Sequence, residues 1–484
     1  MTMTRPSEHT GGAPAPRRRQ PFLGRIRHVH MVGIGGVGMS SIAEVLLSRG
    51  YRVTGSDLKK SEVTDRLEAL GAVVYEGHAA GHVGEAGVVV HSSAVDPKRN
   101  PETLEAERRG IPLIRRAEML GELMRMKFGI GIAGTHGKTT TTSMTGLVVS
   151  EGGFDPTIIV GGKVAFFDAS AVAGEGDIIV LEADEYDRTF LRLTPSIAVV
   201  TNIEAEHLDI YDGLDDLKEA FIQYANSVPF FGAAILCLDD PNVQSIVGRI
   251  DRRVVTYGLS RQADVRAEHV EQDGLTMRFE VTTGTTSLGE VTLQVPGLFN
   301  VRNALAAVAV GLELEIPFEK IRSALAKYSG VQRRFERLGE AAGVLVIDDY
   351  AHHPTEVRAT LGAAARAFPG RRIVAVFQPH LYSRTRDFAE DFARAFFDAD
   401  VLVVLDVYGA REAPIEGVSG RLIAGLARRF GHRDVHEVPE KADMPAYVAA
   451  LARPGDVVLT LGAGDIWRLA RELLGLLRQR ERAA

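Results

Sequence analysis

The sequence predicts an α/β protein with three domains. The chain has 484 residues, and at roughly 150 residues per domain it is too long for one ordinary core. Short apolar runs alternate with helix-length amphipathic stretches almost throughout, which is typical of parallel α/β units. Two glycine-rich loops interrupt this alternation, and each follows an apolar run and precedes a helix-length segment. Together these observations favour parallel sheets with helices on their faces.

The composition excludes several classes of protein. Hydrophobic residues make up 45% of the chain and charged residues 25%, as in a soluble globular protein. The net charge of -7 argues against binding to nucleic acid. No segment approaches the roughly 18 uninterrupted apolar residues of a membrane helix, so we expect no membrane insertion and a cytoplasmic protein. The single cysteine, Cys237, lies in an apolar run, which predicts a buried strand thiol and no internal disulfide.

Domain boundaries are expected where the α/β alternation restarts. Residues 1–24 are rich in proline, glycine and arginine and lack the apolar segment of a signal peptide, so we expect a disordered tail. The first domain spans residues 25–125. The second, 126–330, begins with a new strand and glycine loop, and the third, 331–484, begins after Ser329–Gly330 closes a helical segment.

Apolar runs bounded by turn residues predict the strands. A helix is expected over Ser40–Ser48. Residues 265–295 differ, because alternating polar and β-branched residues, as in Thr276–Thr282, predict antiparallel hairpins inserted before the next helix. The predicted strands are Val29–Gly33, Tyr51–Gly55, Gly87–His91, Ile130–Ala133, Ile178–Leu181, Ile197–Thr201, Ala234–Leu238, Val344–Ile347, Ile373–Phe377, Val401–Leu405 and Val457–Leu461.

The first glycine loop, Gly33-Ile34-Gly35-Gly36-Val37-Gly38, fits the pattern G-x-G-x-x-G between a strand and a helix. Ser56-Asp57 ends the next strand, about twenty residues further on. In Rossmann-like domains this pattern places a diphosphate on the helix N-terminus and a carboxylate near a ribose. Any pyrophosphate-linked nucleotide, including a UDP-sugar, meets the same backbone. The alternative is a tight turn that serves only helix–strand packing.

The second loop, Gly134-Thr135-His136-Gly137-Lys138-Thr139-Thr140, follows the apolar run Phe128–Ala133. It is a shortened P-loop, because the usual spacing has glycine where this chain has Ile132. Backbone N–H groups and the helix dipole favour phosphates, Lys138 supplies a positive charge, and the Thr139 hydroxyl can reach Mg²⁺. An ordinary glycine-rich turn would not explain why lysine and threonine occur together there. The loop predicts binding of a nucleoside triphosphate.

Acidic residues follow two further strands of the second domain. One run is Glu182-Ala183-Asp184-Glu185-Tyr186-Asp187, and the other is Glu204-Ala205-Glu206-His207-Leu208-Asp209. Carboxylates at the carboxyl ends of parallel strands beside a P-loop suit Mg²⁺, which prefers one or two carboxylates together with phosphate oxygens and waters. His207, flanked by acids, is a candidate second metal ligand. The alternative for both runs is a solvated surface loop.

Taken together, these motifs resemble the Mur ligases, the ATP-dependent enzymes that build the cytoplasmic precursors of the bacterial cell wall. The resemblance covers residues 26–480. The Asp-Tyr-x-His-His-Pro run is the most telling for the alanine-adding branch of the family. Beyond the loops above, the resemblance rests on Arg333-Arg334-Phe335, Asp348-Asp349-Tyr350-Ala351-His352-His353-Pro354-Thr355-Glu356 and Phe377-Gln378-Pro379-His380.

The resemblance implies an enzyme that uses a different domain for each substrate. The first domain, Rossmann-like, would bind UDP-N-acetylmuramate through Gly35, Gly36, Val37, Gly38, Ser56, Asp57, Ser92 and Ser93. The central domain, a P-loop ATPase-like parallel sheet with antiparallel hairpins, would bind ATP through Gly134, Thr135, His136, Gly137, Lys138, Thr139, Thr140, Asn300, Asn303 and Arg334. The C-terminal domain, also Rossmann-like, would close over both and seat L-alanine through Tyr350, His352, His380 and Arg384.

The reaction that the resemblance implies joins an unreactive lactyl carboxylate to the amine of L-alanine. The carboxylate attacks the γ-phosphorus of ATP to give an acyl phosphate and ADP, and the amine then displaces phosphate. Phosphoryl transfer depends mainly on positioning and charge. The residues expected to act in it are Lys138, Glu182, His207, Arg334 and His352. The expected ligands of Mg²⁺, with two ions in all, are Thr139, Glu182 and His207.

Two positions depart from the family pattern. The adenine-contacting segment His-Asn-x-x-Asn reads Phe299-Asn300-Val301-Arg302-Asn303 here, so both asparagines remain and the histidine is replaced. Many relatives have arginine after Gln-Pro-His, where this chain has Leu381, and Arg384 becomes the expected cation for the product carboxylate or the phosphates. No lysine near His207 matches the one that some relatives carbamylate, so we expect no carbamylation.

Three other functions stay open from the sequence. A murein-peptide ligase, which attaches a recycled peptide, would use the same chemistry and differ only around Tyr350–Glu356. An NAD-dependent oxidoreductase would explain the first glycine loop but neither the P-loop nor the acidic strand ends. A nucleotide-regulated scaffold would bind the same ligands without chemistry. Either a monomer or a homodimer fits the sequence.

Overall fold

Three β-sheets organise the chain. They are seen in a computed structural model that describes residues 23–164, 169–206, 210–410 and 412–483. Two compact units can be separated. Of the described residues, one unit holds 23–35 together with Leu46–Arg115 and contains the first sheet. The other holds Gly36–Val45 and the described chain from Arg116 onward, and it contains the second and third sheets. Nearly the whole expected N-terminal tail lies outside the described residues.

The element bounds are as follows. The strands are β1 (His28–Val32), β2 (Arg52–Asp57), β3 (Val73–Glu76), β4 (Val88–His91), β5 (Leu113–Arg115), β6 (Phe128–Ala133), β7 (Thr157–Val164), β8 (Ala169–Ala173), β9 (Ile178–Glu182), β10 (Ile197–Val200), β11 (Ala233–Cys237), β12 (Val254–Gly258), β13 (Val265–Asp273), β14 (Thr276–Thr283), β15 (Thr286–Leu293), β16 (Glu336–Ala341), β17 (Val344–Asp349), β18 (Ile373–Phe377), β19 (Val401–Leu405), β20 (Val435–Val438) and β21 (Val457–Leu461). The α-helices are α1 (Val37–Ser48), α2 (Glu62–Ala69), α3 (Pro101–Arg109), α4 (Arg116–Arg125), α5 (Lys138–Gly152), α6 (Gly213–Asn226), α7 (Pro241–Val247), α8 (Leu298–Glu313), α9 (Phe318–Lys327), α10 (Pro354–Ala367), α11 (Tyr382–Asp387), α12 (Ala389–Ala395), α13 (Gly420–Arg429), α14 (Met444–Leu451) and α15 (Ile466–Ala483).

The first sheet has the order β3-β2-β1-β4-β5, and all its pairs are parallel. β1 therefore lies at the point where the strand order reverses. In open α/β sheets this switch point is where the loops at the carboxyl ends of the strands leave a crevice for a ligand. The first glycine loop begins directly after β1, as the sequence predicts.

The second sheet has ten strands in the order β15-β14-β13-β12-β11-β10-β6-β9-β7-β8. Its middle is parallel, and β13, β14 and β15 form the antiparallel hairpins expected in residues 265–295. A further antiparallel pair, β7 with β8, closes the other edge and was not predicted. α5 and α8 are buried over most of their length in the core of this sheet, and such helices carry apolar or small residues on every side.

The third sheet has the order β16-β17-β21-β18-β19-β20, in which only the β16–β17 pair is antiparallel. Apolar clusters cover both faces, one involving α10, α12 and α13 and the other α14 and α15. The pairing in all three sheets confirms the predicted α/β class.

Two further predictions concern Cys237 and membrane-spanning helices. Cys237 is buried at the end of β11, and burial raises the pKa of its thiol to about 11, so it is an unreactive strand thiol as expected. Within the described ranges, no helix is both long enough and apolar enough to cross a membrane.

Candidate active site

A shortened P-loop connects β6 to α5. Gly137 directly precedes α5 with a φ of +81°, and a Cβ atom there would lie 2.6 Å from Asn303 Oδ1, so glycine avoids both strain and a clash. The end of β10 holds the loop backbone. The His136 N–H donates to Asn202 Oδ1 at 2.8 Å, and Thr201 Oγ1 donates to the His136 carbonyl at 2.6 Å. The loop is thus fixed at a helix N-terminus, where backbone N–H groups favour phosphate.

Lys138, the first residue of α5, extends back across this loop. Its Nζ donates to both carboxylate oxygens of Glu185, at 2.9 and 2.7 Å, and to the carbonyls of Gly134 and Thr135, at 2.7 and 3.2 Å. Burial by itself would lower the pKa of Lys138, but Glu185 and Asp184 raise it above its ordinary value. Burial raises the pKa of Glu185 to about 7. Lys138 is therefore a charged group held at the loop, with Glu185 as its counter-ion.

Glu182, at the end of β9, brings a second carboxylate to the loop. It accepts hydrogen bonds from the Thr139 hydroxyl and the Gly161 N–H, although burial still raises its pKa. Its Oε1 atom is buried and has no hydrogen-bond partner among the described residues. A buried carboxylate oxygen without a partner, next to the P-loop threonine, is a donor set that suits Mg²⁺. Thr139 and Glu182 therefore fit the metal site predicted for them.

The second acidic run can be followed only in part, because His207 lies outside the described residues. The Glu204 N–H donates to Thr135 Oγ1 at 2.9 Å, which ties this run to the P-loop. Glu206 is buried and accepts from Arg384 Nη2 at 2.5 Å. In the described part of the chain, neither acidic run is fully solvated, since Glu185 and Glu206 are only 1% and 5% exposed.

A cavity of about 280 Å³ lies between elements of the second and third sheets. It borders the P-loop, the ends of β10 and β11, the start of α8 and the first turns of α10. The residues that line it include His136, Gly137, Thr139, Thr140, Asn202, Glu204, Phe299, Asn300, Asn303, Arg334, Asp349 and Glu356. Residues predicted to bind ATP therefore come together from distant parts of the chain.

The two predicted adenine-contacting asparagines are joined to the P-loop helix. Asn303 Oδ1 accepts from Thr141 Oγ1 at 3.1 Å, and Asn303 Nδ2 donates to Asn300 Oδ1 at 3.3 Å. Asn300 Nδ2 donates to the Pro296 carbonyl at 2.7 Å. Both side chains are buried at the wall of the cavity, one turn apart on α8. They brace the α5–α8 pair, and their contact with adenine stays a prediction.

The start of α10 is fixed by a capping box. His353 is the N-cap, and its Nδ1 accepts from the Thr355 N–H at 3.4 Å. In return, Glu356 Oε2 accepts the N–H groups of His353 at 3.3 Å and His352 at 2.9 Å. Burial and the nearby His136 lower the pKa of His353 to about 4. His353 is therefore a neutral structural residue.

His136, on the P-loop, lies between two carboxylates. Its Nδ1 is 3.1 Å from Glu356 Oε1 and its Nε2 is 3.2 Å from Glu204 Oε2. Burial alone would lower the pKa of His136, but Glu356 and Glu204 raise it to about 10, so the ring is an imidazolium. His136, Glu204 and His353 could each offer a metal one ligand atom, with these atoms within 4.8 Å of one another. Both ring nitrogens of His136 already face carboxylate oxygens, so we assign no ion to this cluster.

Of the two adjacent arginines between α9 and β16, Arg334 is the one that lines the cavity. Its guanidinium lies 5.0 Å from the Tyr350 ring centroid, and its Nη1 is 3.8 Å from Glu356 Oε1. Arg333 also lies over the Tyr350 ring, at 4.9 Å, but it pairs with the buried Asp348 at 3.1 Å and does not line the cavity. This division supports Arg334, and not its neighbour, as the candidate phosphate contact.

The residues predicted to bind the amino acid form one cluster. The rings of Tyr350 and His380 lie 5.2 and 6.2 Å from the ring of His352, and Arg384 Nη1 is 3.4 Å from His380 Nδ1. Burial, together with His352 and Arg384, lowers the pKa of His380 to about 4. Glu206 compensates the charge of Arg384. The cluster thus combines a neutral imidazole, an aromatic ring and a paired guanidinium.

In the first sheet, the glycine loop is braced by Asp57. The Gly35 N–H donates to Asp57 Oδ2 and the Leu58 N–H to Asp57 Oδ1, both at 2.8 Å. The Gly36 carbonyl accepts the Ser40 N–H at 2.8 Å, which opens α1. Binding of a UDP-sugar by this loop, Ser56, Asp57, Ser92 and Ser93 stays a prediction.

Glu102, on α3, was not singled out from the sequence, although it organises the neighbourhood of Ser56. It is fully buried, and it accepts hydrogen bonds from Ser56 at 2.5 Å, His82 at 2.8 Å and His30 at 3.3 Å. Burial alone would raise the pKa of Glu102, but the bonds from His30, Ser56 and His82 lower it to about 2. A single glutamate in an amphipathic helix gives no pattern that would have pointed to this role.

Three models of one protein family match successive parts of the chain. Their descriptions are "Mur ligase family, catalytic domain" for residues 28–128, "Mur ligase middle domain" for 132–311 and "Mur ligase, glutamate ligase domain" for 333–464. These matches agree with the predicted three-domain organisation.

Named relatives match over nearly the whole chain. The UDP-N-acetylmuramate–L-alanine ligase of Salinibacter ruber is 68% identical over 463 residues, which cover 96% of this chain and 98% of that protein. The enzyme of the same name from Geobacter sp. (strain M21) is 53% identical over 453 residues, covering 94% and 98%.

Solved structures show the same likeness. A UDP-N-acetylmuramate–alanine ligase from Thermotoga maritima has a TM-score of 0.80 at 28% identity and covers 94% of this chain and 99% of that one. A murein peptide ligase from Psychrobacter arcticus has a TM-score of 0.69 at 24% identity over 93% and 99%, which is a likeness of fold alone.

Proposed function

This chain belongs to the Mur ligase family, and from that premise we propose that it joins L-alanine to the lactyl carboxylate of UDP-N-acetylmuramate, with ATP converted to ADP and phosphate. The product is a precursor of peptidoglycan. The observation that carries the proposal is the single cavity in which the P-loop, the two α8 asparagines and the start of α10 meet. That arrangement suits a reaction that uses ATP, and Glu356 at the cavity wall accepts the N–H of His352, in the proposed amino-acid cluster, at 2.9 Å.

The proposed chemistry has two steps. A carboxylate is a poor electrophile, so a lactyl oxygen first attacks the γ-phosphorus of ATP, forming an acyl phosphate and releasing ADP. The neutral amine of alanine then attacks the acyl carbon, and the tetrahedral intermediate expels inorganic phosphate to leave an amide. Held in attack geometry, the reactants can avoid roughly 7–11 kcal/mol of barrier.

Lys138 and Arg334 supply the mobile positive charge for the first step. We propose that the Lys138 Nζ leaves Glu185 and moves onto the β- and γ-phosphates, while Arg334, which is a third exposed at the cavity wall, reaches the γ-phosphate. Because the pKa of Glu185 is raised to about 7, its carboxylate can take up a proton once Lys138 departs. The movement of Lys138 therefore leaves no uncompensated buried charge. Both cations then stabilise charge that develops during phosphoryl transfer.

Thr139 and Glu182 would hold one Mg²⁺ in this reaction. When bound, the ion neutralises charge on the β- and γ-phosphates. The buried Glu182 Oε1 atom, which lacks a partner among the described residues, is the reason for placing it there. We propose a second ion at His207, beside Glu206, where the lactyl carboxylate is expected to bind.

Alanine is proposed to bind among Tyr350, His352, His380 and Arg384. Arg384 is the cation available for its carboxylate, and it is oriented by Glu206. His380, with a pKa of about 4, is neutral at physiological pH and too weak a base to deprotonate the amine, so it binds the amino acid. His352 is the candidate base. We further propose that the enzyme works in the cytoplasm, where ATP and UDP-sugars are made, as a monomer or homodimer.

The test is phosphate release from Mg-ATP with UDP-N-acetylmuramate and L-alanine each present or omitted. Release that requires all three substrates would support the alanine ligase. Release only when a cell-wall peptide replaces alanine would instead indicate the recycling ligase. A change in nicotinamide absorbance without phosphate release would indicate an oxidoreductase, and ligand binding without either signal would indicate the scaffold.

A further inference from the structure

The P-loop histidine lies in the cavity and contacts Glu356, which in turn contacts the cluster proposed to bind the amino acid. We propose that His136 is a positioning residue that couples the two substrates: its imidazole ring fixes Glu356, and Glu356 fixes the backbone and side chain of His352. Binding of nucleotide at the P-loop would then tighten binding of the amino acid. This inference rests on the proposed function, because it concerns two substrates of that reaction.

The backbone of His136 moves only with the P-loop. Its N–H and carbonyl are both held by the end of β10, through Asn202 at 2.8 Å and Thr201 at 2.6 Å. Gly137 follows directly and is the N-cap of α5. A ligand that fixes this loop therefore fixes the starting point of the His136 side chain.

The side chain of His136 contacts α10, a helix that packs on the third sheet. Its Nδ1 lies 3.1 Å from Glu356 Oε1, on the first turn of α10, while its Nε2 is steadied by Glu204 at 3.2 Å. The imidazole is 12% exposed and the Glu356 carboxylate 13% exposed, so water competes weakly for the pair. A charged hydrogen bond in such surroundings is stronger and more directional than one at the surface.

The second carboxylate oxygen of Glu356 contacts His352 and so holds this residue in position as well. Glu356 Oε2 accepts the His352 N–H at 2.9 Å and lies 3.0 Å from His352 Nδ1. His352 in turn lies in the cluster of Tyr350, His380 and Arg384. This path from the P-loop to the amino-acid cluster is therefore continuous, and it runs through the Glu356 carboxylate.

The position of Arg334 explains why Glu356 needs His136 as a partner during turnover. Arg334 Nη1 lies 3.8 Å from the same Glu356 Oε1 atom that His136 contacts. If Arg334 turns toward the γ-phosphate, Glu356 loses part of its compensating charge. His136 stays in place as its partner, so that α10 keeps its position while the nucleotide is bound.

The experiment measures alanine affinity by calorimetry, with UDP-N-acetylmuramate present and with or without Mg²⁺ and a non-hydrolysable ATP analogue. In the wild-type enzyme we expect the analogue to tighten alanine binding by about 10-fold, within the usual range of coupling between sites. In His136→Gln most of that gain should be lost, while affinity for the analogue stays nearly unchanged. Steady-state assays should show the same pattern as a raised KM for alanine with a smaller change in kcat.

Two further variants separate coupling from loss of structure. Glu356→Gln removes the charge but keeps an oxygen for the helix cap, and it should reproduce the loss, with the double variant no worse than either single one. Gln272→Ala is the matched control, because Gln272 Nε2 also joins the second sheet to α10, at the Ala363 carbonyl 3.1 Å away, but outside the cavity. It should leave the coupling intact.

Several results would overturn the inference. One is a wild-type enzyme that binds alanine with the same affinity in the presence and absence of the ATP analogue. Others are an unchanged coupling in both His136→Gln and Glu356→Gln, or an equal loss in Gln272→Ala, which would indicate general loosening of α10. These outcomes differ from failure of the proposed function, in which wild-type enzyme would release no phosphate with alanine.

Discussion

At the scale of single residues, the site is a set of buried charges that compensate one another. Lys138 is paired with Glu185, Arg384 with Glu206, and His136 with two carboxylates. Glu182 differs, because one of its oxygens has no partner in the described part of the chain. Buried ions without partners are costly, so these pairs hold the site together until substrates replace some of the contacts. The consequences of removing one member can be argued for each pair.

Replacing Lys138 with alanine should abolish turnover without unfolding the protein. The phosphates lose their main protein cation, which should lower the rate by at least about 100-fold. Glu185 then lacks its counter-ion, but its pKa is already about 7, so it can take up a proton instead. Phosphate release measures the rate, and calorimetry should show nearly intact binding of UDP-N-acetylmuramate. Equal loss of both would contradict the assignment of the two nucleotides to different domains.

Replacing Glu182 with glutamine should weaken the use of Mg²⁺. The amide keeps the size of the side chain but removes the charge that a hard cation prefers. We expect the Mg²⁺ concentration that supports half-maximal phosphate release to rise by roughly 10- to 100-fold. Glu290→Gln, at an exposed position on β15 of the same sheet, is the control and should change nothing. An unaltered Mg²⁺ requirement in Glu182→Gln would place the metal elsewhere.

At the scale of elements, parallel strands were the most predictable feature. Ile373–Phe377, Val401–Leu405 and Val457–Leu461 form the strands predicted for them, because a strand buried on both faces reads as an uninterrupted apolar run. Strands at sheet edges, such as β16 and β20, were missed. Their burial is partial, and their sequences mix charged and apolar residues, so no clear run marks them.

The site was predictable as a set of motifs but not as a set of pairs. The P-loop, the acidic strand ends and the start of α10 each carry a local pattern. Their pairings, however, join residues 47 positions apart for Lys138 and Glu185, and 220 apart for His136 and Glu356. Such pairs depend on how two sheets pack, which no local pattern encodes. The same reason explains why Glu102 was not anticipated.

Glu102 links β1, β2 and the turn near His82. It therefore gives a prediction about how the stability of the first sheet depends on pH. Its folded pKa is about 2, below the ordinary 4.5, so its stabilising effect is present above about pH 4.5 and is lost as the pH falls toward 2. A shift of this size corresponds to about 3 kcal/mol. Glu102→Gln should destabilise the first sheet by about that amount at pH 7.

Hydrogen exchange of β1 and β2 would measure this effect at pH 7 and again near pH 3. The difference between Glu102→Gln and wild type should shrink at the lower pH, where the wild-type carboxylate also begins to take up a proton. Glu107→Gln, on the exposed side of the same helix, should behave as wild type at both. A difference that stayed constant with pH would mean that shape, and not charge, is what Glu102 contributes.

At the scale of the whole molecule, the second and third sheets share one cavity, and this explains why the chain needs both. The second sheet provides the P-loop and the α8 asparagines, while the third provides the start of α10, where Glu356 contacts the neighbouring cluster around His352. Neither set alone could bring ATP next to an amino acid. Ligand binding to residues of one sheet should therefore affect residues of the other.

Hydrogen exchange with and without Mg²⁺ and a non-hydrolysable ATP analogue tests whether ligand binding at the second sheet affects the third. Protection should increase at the P-loop and at the first turns of α8, and also at the start of α10, because Thr355, Glu356 and Thr360 line the same cavity. Strands β14 and β20 lie away from it in their respective sheets and should exchange unchanged. Protection confined to the second sheet would mean that nucleotide binds without engaging the third, and that α10 joins the site only when the amino acid arrives.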